Sequence, residues 1–99
     1  MDILVIGRGQ NVVDSAIPQI RAQGFTAHGV IADADALAVL DADPVGILLI
    51  GGGVERVSRD LLIAKAQQHG VAVIEARRNG RDLDTYLQEE VFPALRARQ

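Results

Sequence analysis

The residues of this chain best suited to chemistry are arginines and glycines. Arg8, Arg56, Arg59, Arg77, Arg78 and Arg81 all follow predicted strands, in loops or in the first turns of the next helices. Two bare-backbone turns accompany them: Gly7 and Gly9 with Gln10 and Asn11, and Gly51, Gly52 and Gly53. Guanidinium groups bind phosphate through paired hydrogen bonds, and free amides at helix starts favour negative charge. The expected chemistry is capture of an anion at one edge of a sheet. Its residues are Gly7, Arg8, Gly9, Gln10, Asn11, Gly51, Gly52, Gly53, Arg56, Ser58, Arg59 and Arg77.

Nothing comparable points to catalysis. Ser58 reads as a helix N-cap, and neither it nor Ser15 sits in a GxSxG elbow. His28 falls on an edge strand, and His69 at a helix end, where a base interacts favourably with the helix dipole. Glu55 beside the glycines and Glu75 after the fourth strand are isolated carboxylates. There is no cysteine, so disulfides and thiolate chemistry are excluded, and no HExxH or similar spacing suggests a metal.

The elements that must position these groups follow from hydrophobic pattern. Val45 to Ile50 is a short apolar run between Asp43-Pro44 and the glycines, the signature of a strand buried on both faces of a parallel sheet. Ile3 to Ile6 reads as the first strand, Phe25 to Ile31 as the second with polar Thr26 and His28 on one face, and Val71 to Ile74 as the fourth. Helical spacing of Val12, Val13, Ala16, Ile17 and Ile20 predicts a helix ending before Gly24. Pro18 leaves two starts open, near Ser15 or near Asn11 with a bend, the second being favoured because it keeps Val12 and Val13 helical. Asp33 or Asp35 should cap a second helix with Leu37, Val39 and Leu40 facing the core; Val54 to Val57 is a connector or a first helical turn, and Ser58 should cap a third helix over Arg59 to Gln68 that stops at Gly70. Asp82 should cap a last helix carrying Leu83, Tyr86, Leu87, Val91 and Leu95 on one stripe, bent or split by Pro93.

Strands alternating with helices predict one α/β domain over residues 1–99, a three-layer sandwich with a four-stranded parallel sheet of order 2-1-3-4. That order sets the first glycine turn against the second, at the point where the chain reverses direction across the sheet.

Ile3 to Gln10 resembles the opening of dinucleotide-binding Rossmann domains, and Ile47 to Gly53 their later strand ending in small residues. Gly7 and Gly9 match the first two glycines of GxGxxG; Val12 stands in the third place and should hold the helix away from the sheet. Asp33 falls where the ribose-binding carboxylate belongs. The resemblance implies NAD(P) or another nucleotide as ligand. The layout also resembles flavodoxin-like proteins and response-regulator receivers. A receiver would need an acidic pair after strand 1, an aspartate after strand 3 and a late lysine, where this chain has Gly7-Arg8, Gly51 and only Lys65. Receiver phosphotransfer is excluded, and a ligand-free interaction or scaffold module on that fold is the alternative to ligand binding.

Composition narrows the partners. The 99 residues are 48% hydrophobic but 3% aromatic, too few rings for base stacking, and the formal charge of −3 opposes binding to nucleic acid or an anionic membrane. The chain opens on an apolar strand without a leader, and no stretch is long enough to span a bilayer, so a cytoplasmic protein is expected. The fourth strand is apolar on both faces yet sits at the sheet edge, which predicts a homodimer that covers it.

Overall fold

A computed structural model describes residues 1–99. β1 (Ile3–Ile6), β2 (Ala27–Val30), β3 (Ile47–Ile50) and β4 (Ala72–Glu75) form one parallel sheet in the order β2-β1-β3-β4. β1 and β3 are buried throughout and pair residue for residue, Ile3 with Ile47 to Ile6 with Ile50. Alternation along these two strands builds two cores. Ile3, Val5, Ile47 and Leu49 face α1 (Gln10–Ala22) and the C-terminal helical segment. Leu4, Ile6, Leu48 and Ile50 face α2 (Asp33–Ala42) and α3 (Arg56–Gln68). A two-sided apolar strand therefore makes a three-layer α/β sandwich.

α1 runs without interruption from Gln10 and carries exposed Pro18 inside it, so the start near Ser15 does not occur. Val13, Ala16, Ile17 and Ile20 are its buried face, whereas Val12 is 42% exposed. Val12 thus turns away from the sheet and does not hold the helix off. The close approach occurs instead over β2, where a Cβ added at Gly29 would lie 2.4 Å from a Val13 methyl and 2.9 Å from Ile17. The glycine that lets helix meet strand is on the strand.

Two predicted caps are corrected. α2 is capped by Ala32 with no side-chain hydrogen bond, because Asp33 is drawn to other partners and Asp35 lies inside the first turn. Ala36 and Leu40 are its buried residues, with Leu37 and Val39 half-buried beside them. α3 starts three residues before Arg59, with Glu55 at its N-cap and Ser58 inside the first turn. At its other end Val71 N–H reaches Ala66 O at 2.8 Å and Gly70 N–H reaches Gln67 O at 3.2 Å, the paired closure of a Schellman motif.

The C-terminal segment begins as predicted, with the Asp82 carboxylate accepting from Thr85 N–H at 2.8 Å. It comprises α4 (Leu83–Tyr86), a π-helical turn (Leu87–Val91) and α5 (Phe92–Ala97). Within that turn Phe92 N–H bonds Leu87 O, one residue further back than in an α-helix. Pro93 has no N–H to offer and its ring would strike the carbonyl four residues earlier; the wider turn removes both conflicts. No helix is long and apolar enough to cross a membrane.

Candidate functional site

The two glycine turns touch. Gly51 N–H donates to Ile6 O at 2.8 Å, and a Cβ added at Gly51 would stand 3.2 Å from that oxygen and 3.3 Å from Gly7 Cα. A side chain at Gly51 would press on backbone of the first turn, so glycine suits this close approach. They form the floor of a cavity of about 430 Å³ at the carboxyl ends of β1 and β3. Gly7, Arg8, Gly9, Gly51, Gly52 and Gly53 all border it, as the chain reversal between these strands requires.

Its walls are apolar. Val12 and Ala16 of α1 form one side, and Ala76, Leu83, Tyr86 and Leu87 the other. Sequence reasoning missed these wall residues, reading Val12, Leu83, Tyr86 and Leu87 as core. Tyr86 is 4% exposed; burial pushes its phenol above its ordinary pKa, and the Arg77 backbone beside the oxygen works in the opposite direction. The Arg81 guanidinium lies 5.2 Å from the centre of the Tyr86 ring. Gly9, at the N-cap of α1, borders the cavity, and the helix has no acidic residue in its first turn; its Val12 and Val13 N–H groups both donate to Gly9 O.

The arginines divide into those already paired and those not. Arg8 donates Nε to Glu55 Oε1 at 3.1 Å and Nη2 to Glu55 Oε2 at 2.8 Å and to Asp33 Oδ1 at 2.6 Å, while Nη1 reaches Ile31 O at 2.6 Å. Ser58 Oγ, on a side chain only 9% exposed, donates to Asp33 Oδ2. One guanidinium thus ties together the starts of α2 and α3 and the turn after β1. The Ser58 hydroxyl first and then Arg8 hold the Asp33 carboxyl below its usual range; Arg8 does the same for Glu55, and the two carboxylates raise Arg8. Arg59 donates to Val54 O at 3.1 Å and lies 3.5 Å from Glu75, with its Nε buried and unpartnered. Arg81 is held by Glu89 at 3.0 Å, Glu90 at 3.1 Å and the carbonyls of Arg77 and Arg78.

Of the expected site residues, Gln10, Asn11, Arg56, Ser58, Arg59 and Arg77 lie outside the cavity lining. Gln10 borders instead the shallow depressions on either side of β2. Arg78 does line the cavity, and its side chain makes no ion pair or hydrogen bond within the chain. It is the cavity's one uncommitted cation. The site therefore combines a bare-backbone floor, apolar walls and a single free guanidinium, which suits a ligand with an apolar body and one anionic group. Comparison with models of protein families, with curated proteins and with solved structures finds no significant match to this chain.

Proposed function

We propose that this protein binds a small phosphorylated ligand or nucleotide, without chemical change, in the crevice where the turn after β1 meets the turn after β3. The observation that carries the proposal is the contact between Gly7 and Gly51 under an apolar-walled cavity of about 430 Å³. Such a volume falls within the range of about 300–1,000 Å³ common to small-molecule sites. The glycines let a phosphate approach the backbone, and Arg78 supplies the counter-ion. The flat apolar part of the ligand packs between Val12 and the Leu83–Leu87 wall.

A thermal-shift screen with nucleoside monophosphates, NAD(P), sugar phosphates and inorganic phosphate tests the reading. Stabilisation by a phosphorylated compound with an apolar or aromatic body, but not by inorganic phosphate, is the expected result. The commitment of Arg8, Arg59 and Arg81 to carboxylates favours a second reading, a ligand-free interaction module. Absence of any shift across the panel would support that reading against the first.

A further inference from the structure

The two edges of the sheet are treated differently. Thr26 O and Val30 O of the β2 region accept from Ile3 and Gly7 N–H, so the intervening Ala27, Gly29 and Ile31 turn their backbone groups outward. Arginine covers two of the outward carbonyls: Arg21 donates to Ala27 O at 3.1 and 2.8 Å, and Arg8 to Ile31 O at 2.6 Å. A charged side chain laid along an edge blocks the addition of another strand.

β4 has no such guard. Ala72 N–H donates to Gly46 O and Ala76 N–H to Ile50 O, which leaves Val73 and Glu75 facing outward. No side chain hydrogen-bonds the backbone of either residue. Their side chains do not repel a neighbour either: Val73 and Ile74 are half-buried and apolar, and the Glu75 carboxylate lies 3.5 Å from Arg59.

We infer that the open edge of β4 takes the β4 of a second copy of this chain, running antiparallel about a twofold axis at Ile74. Two outward residues spaced by two suit this symmetry, because Val73 of each copy then exchanges hydrogen bonds with Glu75 of the other. The two Ile74 side chains meet at the axis, where an antiparallel pair brings side chains closest. The same register gives a cation a helix end to face, where Lys65 and His69 are themselves held by Asp41. Arg77, exposed and without a side-chain partner, falls beside Val71 of the second copy and so beside the carboxyl end of its α3, where the helix dipole favours a cation. Both copies contribute the same contact, and the glycine turns, which follow the central strands β1 and β3, lie away from it.

The test is the mass in solution of the chain and of Val73→Pro, together with amide hydrogen exchange of the unaltered protein. Proline at Val73 removes a donor that a single copy does not use, so the fold should survive. The expected result is a species of twice 10.6 kDa for the unaltered chain, a folded monomer for Val73→Pro, and slower exchange at Val73 and Glu75 as protein concentration rises. A monomer at high protein concentration overturns the inference. So does a dimer that persists in folded Val73→Pro, or one whose Val73 and Glu75 amides exchange at a rate independent of concentration. Should Val73→Pro not fold, the exchange measurement on the unaltered chain decides alone.

Discussion

Arg8 and Glu55, separated by 47 positions in the chain, face each other through two parallel hydrogen bonds of 3.1 and 2.8 Å. The pair bridges the two turns that carry the glycines, and Asp33 and Ser58 join it from α2 and α3. A group that sequence patterning assigns to ligand capture is thus a clasp that holds the crevice in shape.

The clasp makes stability depend on acid. Asp33 and Glu55 titrate below their ordinary values in the folded chain, so their contribution is fully present above the unfolded carboxyl range and is lost as pH falls through the folded values. Urea denaturation should show stability falling below about pH 4. Arg8→Met should lower the midpoint at pH 7 and flatten the decline, since the shift of Glu55 comes mainly from Arg8. An unchanged acid profile in Arg8→Met would show that the clasp does not couple these groups.

Gly29 should tolerate no side chain. Val13 and Ile17 already occupy the space that a Cβ would need, so Gly29→Val overpacks the seam between α1 and β2. A loss of about 1–3 kcal/mol is expected from chemical denaturation. Full stability in that variant would mean that α1 sits further from the sheet than described.

Arg78 should matter to binding and not to folding. It is exposed and its side chain makes no hydrogen bond or ion pair, its charge acting only weakly on Asp82, so Arg78→Ala should shift the thermal midpoint little. Loss of a charge-assisted hydrogen bond to an anionic ligand should weaken affinity by about tenfold or more, measured by calorimetry. Equal affinity in the variant would remove Arg78 from the site.

What could be read in the sequence follows from the range of the forces involved. The Ile47–Ile50 run, its glycines and the order 2-1-3-4 were legible because hydrophobic period and short connections act locally and leave few topologies. The cap assignments for Asp33 and Ser58 were not, because each residue type has a local role that a distant partner can outbid. Arg8 offers Asp33 a charged hydrogen bond worth more than a neutral cap, and Asp33 in turn captures Ser58. The same competition explains why Arg8, Arg59 and Arg81 are spent internally. The carboxylates of Arg8 and Arg59 arrive only with the tertiary fold, whereas Arg81 meets Glu89 and Glu90 of its own C-terminal segment, and only the fold makes Val12 and Tyr86 wall a cavity.

The central claim is that the two glycine turns hold a ligand between them, and the most direct measurement is amide chemical shift during titration with a nucleoside monophosphate. Saturable shifts confined to Gly7, Gly9, Val12, Gly51, Gly52, Gly53, Arg78 and the Leu83–Leu87 wall are predicted, and they should vanish in Gly52→Val, whose side chain meets only Ala76 O at an ordinary distance, so that the fold is kept. Shifts absent at millimolar ligand, or clustered away from both turns, would contradict the account.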